Sequence, residues 1–211
     1  MYTPERLDTA NLDACVAMMK GGSKTFFAAS RLLPPRIRTA AIALYAFCRV
    51  ADDLVDEAPA GEAPLAVLNH RLDMIYAGTP QDHVEDHALH LVVQQYQLPR
   101  HLLDALIEGF AWDSAGRIYN SIEEVHDYAA RVAGSVGAMM CWIMGLQNIE
   151  TLERACEMGV AMQLTNIARD VGADAALGRS YLPRRWLIEA GVQPEEWLAN
   201  PESSAGIQIV V

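Results

Sequence analysis

The sequence has no apolar run long enough to cross a bilayer. Its longest, 132–146, falls short of the roughly 20 residues required and is broken by Ser135 and three glycines. A buried helix is the expectation there. The opening Met1-Tyr2-Thr3-Pro4-Glu5-Arg6 leads into a polar, acidic stretch rather than a signal peptide, which points to the cytoplasm. Cysteine is scarce: Cys15, Cys48, Cys141 and Cys156 show no CxxC spacing and sit among apolar neighbours. They read as reduced core thiols, so a disulfide scaffold is not expected. Basic charge is short as well, with 16 Lys and Arg against 27 Asp and Glu and a net charge of −11. That balance argues against a nucleic-acid partner, because phosphate backbones attract basic surfaces. Internal repeats, low-complexity segments and alternating strand patterns are missing too.

Apolar residues, by contrast, make up 52% of the 211 positions. A chain of this size forms one domain and buries roughly 70% of its unfolded surface. Helical periodicity runs throughout. A first helix is expected over 9–20, ending at Gly21-Gly22, and a short one from Ser23 to the break at Pro34-Pro35. The next runs to about Glu57 with Pro35 in its first turn. Ala58-Pro59-Ala60-Gly61 reads as a loop. Further helices are expected over 64–77, 82–96 and 99–117. Ser121-Ile122-Glu123-Glu124 resembles a capping box opening a helix that lasts to Gly145. Asn148 is placed to cap a long helix ending near Gly178. The fold class is therefore all-α, a helical bundle around a central cavity.

Two acidic clusters dominate: Asp52-Asp53-Leu54-Val55-Asp56 and Asp170-Val171-Gly172-Ala173-Asp174. In each, two aspartates stand four residues apart, just over one helical turn, and so share a face. An arginine precedes each cluster (Arg49, Arg169). Carboxylate pairs suit Mg²⁺ and arginines suit phosphate oxygens. A solvated acidic helix end is the plain alternative, but acids at a helix C-terminus oppose the macrodipole. A second pair in an equally apolar helix also disfavours it. Gln163, Asn166, Asp170 and Asp174 follow at spacings of three, four and four. They form a polar stripe that either faces a wet, charged cavity or bonds across helices.

Other features carry less. His83, His87 and His90 share a helical face, yet they alternate with Asp82, Glu85 and Asp86 in a polar segment. They read as a solvated face rather than a metal site. Gly134, Gly137 and Gly145 interrupt an apolar helix. Either close helix packing or a hydrocarbon lying against bare backbone accounts for them, with Tyr128 supplying an aromatic face one turn earlier.

Four segments together resemble the squalene/phytoene synthase family: Ser23-Lys24-Thr25-Phe26, the run from Ala43 to Asp56, Val132-Ala133-Gly134-Ser135-Val136-Gly137, and Gln163-Leu164-Thr165-Asn166-Ile167-Ala168-Arg169-Asp170-Val171-Gly172. The likeness runs from about 12 to 200 and is strongest to the bacterial phytoene-forming branch. It implies an isoprenoid-synthase-like bundle over 1–200 and an atypical tail over 201–211. It also implies head-to-head condensation of two geranylgeranyl diphosphates to phytoene through prephytoene diphosphate. The implied metal ligands are Asp52, Asp56, Asn166, Asp170 and Asp174, holding Mg²⁺, with Mn²⁺ as a substitute. Asp52, Asp56, Asp170, Asp174 and Tyr45 would serve catalysis. Ser23, Lys24, Phe26, Tyr45, Arg49, Tyr128, Val132, Gln163, Arg169 and Arg179 would bind the prenyl diphosphate, and Tyr181 would help close over it. An apolar substrate and product imply peripheral contact with the cytoplasmic membrane face, although no basic amphipathic helix stands out. Oligomeric state is not readable.

Two departures qualify the likeness. Ala173 stands where the family commonly has an acid. After Asn200-Pro201 the family's later helices are expected to be missing, leaving one cavity wall open. A weakly active homologue that binds Mg²⁺ and diphosphate, and a squalene- or dehydrosqualene-type synthase using farnesyl diphosphate, are the alternatives. A non-catalytic interaction module has no need for two aspartate pairs.

Overall fold

A computed structural model describes residues 9–56 and 63–211. Among them the chain is helical with no strand, as the periodicity predicts. The order is α1 (Thr9–Gly22), α2 (Lys24–Ser30), α3 (Pro35–Asp56), α4 (Pro64–Ala77), α5 (Val84–Tyr96), α6 (Arg100–Ser114), α7 (Ile122–Ala129), a π-helical segment (Ala130–Gly134), α8 (Ser135–Ile143), α9 (Ile149–Ala176), α10 (Arg184–Glu189), α11 (Pro194–Ala199) and α12 (Ala205–Val210). The expected loop at 58–61 and the chain's first residues lie outside the described residues.

α3 is the central helix. Ala40 to Leu44, Ala46 and Phe47 are all buried, so it is covered nearly all round over its middle turns. It packs on α1 and α5, and α4 and α6 complete this group. A second group forms where α7, the π segment and α8 run as one continuous rod against α6 and α9. A small cluster of Tyr119, Val125, Tyr128, Ile167, Leu182, Leu187 and Ile207 ties α7 and α9 to the short C-terminal helices.

Helix ends follow local chemistry. Asn148 caps α9 by accepting from the Thr151 amide at 2.9 Å, and Gly178 ends that helix region with φ +74°. The capping box expected at Ser121 is not formed. Glu124 accepts from the Asn120 amide at 2.6 Å instead, one residue early. Residues 205–210, where no helix is expected, form α12. Ser204 caps it through the Ile207 amide at 3.2 Å, and Ile207 is buried.

The histidine segment is a correction. His83 and His87 do lie near water, but Glu85, Asp86 and His90 are buried. Arg71 reaches in from α4 and neutralises both acids, donating to Asp86 at 2.6 Å and to Glu85 at 2.6 Å. The His90 Nδ1–H donates to the Ile75 carbonyl at 2.8 Å. A charged group enters a core when it is paired there, and the partner lies on another helix. All four cysteines are free thiols, and burial pushes Cys15 up to about 11 and Cys48 up to about 12. No helix among the described residues is long and apolar enough to cross a membrane.

Candidate functional site

Between α3, α6, the π-containing rod and α9 lies a cavity of about 510 Å³. α3 delivers Tyr45, Cys48, Arg49 and Asp52 to it at helical spacing, and α9 delivers Met158, Met162, Gln163 and Asn166. Polar groups thus gather at one end and apolar ones at the other, because on each helix the inward stripe changes character along its length. Val132 and Ala133 of the π segment, with Val136, Gly137 and Met140, form the apolar wall.

Helices meet closely behind that wall. A Cβ on Gly134 would come within 2.5 Å of Cys156 Sγ, and one on Gly159 within 2.9 Å of Gly134 Cα. Gly137 abuts the Ala155 carbonyl. Both readings of these glycines therefore hold at once, since Gly137 and Gly159 also line the cavity. Gly145 differs: it sits past α8 with φ +83° and open space around it, ending the helix rather than packing it.

The carboxylates crowd one another. Burial pushes Asp52 up to about 6, with Asp56 repelling it further and Arg49 offsetting part of the effect. Arg49 pairs with Asp53 at 2.5 Å and with Asp52 at 3.6 Å. Asp174 is raised by burial and by Asp170. Arg179 Nη2 donates to Asp56 at 2.7 Å while its amide donates to the Asp174 carbonyl at 2.9 Å. One residue thus bridges the two acidic clusters. Asp170 faces water, held below the usual carboxylate range by its bond to Arg169 at 2.5 Å.

Of the residues singled out in the sequence, Phe26, Tyr45, Arg49, Asp52, Tyr128, Val132, Gln163 and Asn166 line the cavity. Asp56, Asp174 and Arg179 are joined to them through the bridge just described. Ser23, Lys24, Arg169 and Asp170 do not line it. Ser23 caps α2 by accepting from the Phe26 amide at 3.2 Å. Phe26 sets its ring 6.0 Å from Tyr45, whose hydroxyl is raised chiefly by burial. Sequence reasoning missed Asp113, which also lines the cavity and accepts from both Tyr128 and Tyr181. A signal existed: Leu103, Leu106 and Phe110 are buried, and Asp113 is the next position on that stripe.

Among the described residues no three metal-ligating groups converge into a ready-made cage. The donor set nonetheless fits a hard divalent ion. It consists of mutually repelling carboxylates and an amide oxygen, and Mg²⁺ keeps waters and shares its shell with substrate phosphates.

The squalene/phytoene synthase family profile matches residues 19–211. The chain belongs to that family. It is 50% identical over 204 residues to the phytoene synthase of Rhodobacter capsulatus and 52% identical over 203 residues to that of Cereibacter sphaeroides. These alignments take in 95% and 92% of this chain but 60% and 57% of the relatives, so the chain spans about 60% of the length of the curated relatives it matches. Among solved structures, a squalene synthase from Alicyclobacillus acidocaldarius superposes with a TM-score of 0.84 at 27% identity, over 95% of this chain and 76% of the other. A dehydrosqualene synthase in complex with ligand gives 0.84 at 30% identity, over 95% and 70%. A divalent metal for diphosphate ionisation is general to the family.

Proposed function

We propose that this chain couples two geranylgeranyl diphosphates head to head, giving phytoene through prephytoene diphosphate. The observation that carries the reading is the cavity's polarity: crowded aspartates and arginines at one end pass directly into a wall of Val132, Val136, Met140 and Met158. A diphosphate head and an isoprenoid tail need that sequence of surfaces. The higher identity to phytoene synthases than to the farnesyl-type structures favours the longer substrate.

Asp52, Asp56, Asn166, Asp170 and Asp174 would hold Mg²⁺, or Mn²⁺ in its place. The ion would neutralise charge building on the departing diphosphate. Arg49 and Arg179 exchange their carboxylate partners for diphosphate oxygens, with Arg169, Lys24 and Ser23 approaching from the rim. Gln163 and Tyr45 orient the head group. Phe26, Tyr45 and Tyr128 offer ring faces to the allylic cation, and Val132 helps exclude water that would trap it. Tyr181 holds the segment that carries Arg179.

Contact with a membrane surface is part of this reading, since substrate tail and product are apolar. Leu32 is 88% exposed on the turn between α2 and α3, and Arg38 fixes that turn by donating to the carbonyls of Ser30, Arg31 and Leu33.

The deciding experiment is a product assay on the 211-residue chain with geranylgeranyl diphosphate and Mg²⁺. Phytoene, lost in Asp52→Ala and Asp174→Ala, is the expected result. Folded protein that yields no hydrocarbon, alone or extended with a relative's C-terminal segment, overturns the reading.

A further inference from the structure

A carboxylate outside both acidic clusters sits where the two ends of the site meet. Asp113, near the end of α6, borders the main cavity and also a smaller pocket of about 100 Å³ lined by Arg179, Ser180 and Tyr181. Two phenols donate to it: Tyr128 to Oδ2 and Tyr181 to Oδ1, each at 2.8 Å. Their rings stack with centroids 4.9 Å apart and planes 21° from parallel. Tyr119 closes the aromatic cluster at 5.4 Å from Tyr128 and 5.9 Å from Tyr181.

A phenol has one hydrogen to give. Both are committed to Asp113, so each phenolic oxygen has only lone pairs left. Tyr128 lines the cavity, and the wall there consists of a ring and an acceptor oxygen backed by a negative charge. No guanidinium pairs directly with Asp113 among the described residues; Arg179, which acts on it through space, is engaged by Asp56. Burial and the surrounding acids work against this charge, and the two hydroxyls oppose them. An incompletely neutralised carboxylate beside an apolar cavity is costly unless positive charge arises there. Neutral hydrocarbon has no use for it.

We propose that Asp113 is a positioning residue that turns Tyr128 into an acceptor facing the cavity and places a negative charge behind it, so that the site favours an allylic cation over a neutral chain. This rests on the prenyl-coupling reading and adds to it a group that neither aspartate cluster contains. Through Tyr181 the same carboxylate fixes the segment bearing Arg179, so the cation-facing wall and the diphosphate-facing arginine share one anchor.

The test needs no turnover. Binding of geranylgeranyl dimethylamine, protonated at neutral pH, is compared with binding of uncharged geranylgeraniol by quenching of the chain's tryptophan fluorescence. Wild type should prefer the ammonium by about tenfold, within the range of cation–π and charge contacts. Asp113→Asn should lose most of that preference with little change for the alcohol. Tyr128→Phe should lose part of it, and the double variant no more than Asp113→Asn alone, because the two residues act as one unit. Equal weakening of both ligands means that Asp113 only supports the fold, and an undiminished preference means that its charge is not felt; either overturns the proposal. If Asp113→Asn does not fold, Tyr128→Phe decides, and an unchanged preference there overturns it as well. Failure of the coupling reading would show separately, as absence of hydrocarbon product from wild type.

Discussion

Burial pushes the Asp52 carboxyl up to about 6, and Asp56, one turn away, pushes in the same direction. A carboxyl whose folded value lies above its unfolded one destabilises the fold once both forms are ionised, at pH above the folded value. That cost fades as pH falls through about 6 towards the unfolded value near 4. Asp52→Asn should therefore raise the melting temperature at pH 7.5. A rise of about 2–4 °C corresponds to about 1 kcal/mol in a chain of this size, once its partial exposure is discounted. The gain should shrink between pH 6 and pH 4, and Mg²⁺ should stabilise wild type more than the variant. Calorimetry across that pH range checks it; a variant less stable than wild type at pH 7.5 would contradict it. Asp52 and Asp56 are recognisable in the sequence because their relation is local, one helical turn. Asp113 is not, because its partners Tyr128 and Tyr181 lie 15 and 68 residues away.

At the scale of the helix, glycines that look alike in sequence have opposite roles. Gly159 presses on the backbone of the π segment, where a Cβ would meet Ala133 C at 2.7 Å. Gly172 has open space around it in the same helix. Gly159→Ala should destabilise by about 1–3 kcal/mol, as overpacking does, and narrow the cavity. Gly172→Ala should stabilise by up to about 1 kcal/mol through helix propensity alone. Urea unfolding of the two variants checks both signs. Helix positions were readable from periodicity and caps: α4 runs over the 64–77 expected, and Asn148 caps α9 as its type suggests. The buried Arg71–Glu85–Asp86 group was not readable. Its acids carry the local signature of a solvated face, and only the tertiary approach of α4 removes them from water.

Across the whole molecule charge is unevenly spread. Residues 14–51 hold six of the 16 basic residues and none of the 27 acidic ones. Lys20, Lys24, Arg31 and Arg36 are exposed there, beside Leu32 and the cavity-lining Phe26. An acidic protein with one acid-free, partly apolar edge has a preferred orientation near an anionic bilayer. Co-sedimentation with anionic vesicles should exceed that with zwitterionic ones and weaken at high salt. Arg31→Ser with Leu32→Ser should reduce it several-fold without changing the melting temperature, on the basis of about 1 kcal/mol for each basic residue at such a surface. Equal binding of both vesicle types would refute it. This asymmetry can be counted in the sequence, but that it adjoins the cavity mouth cannot.

The π turn at Ala130–Gly134 gives this family member a particular relation to insertion and deletion. Such a turn is equivalent to one residue added to an α-helix. Loss of a single residue anywhere in it would restore regular winding and rotate all that follows by about 100°. Val136, Gly137 and Met140 would then leave the cavity together, whereas single substitutions alter one wall position at a time. In this stretch the count of residues is a stricter inheritance than their identity.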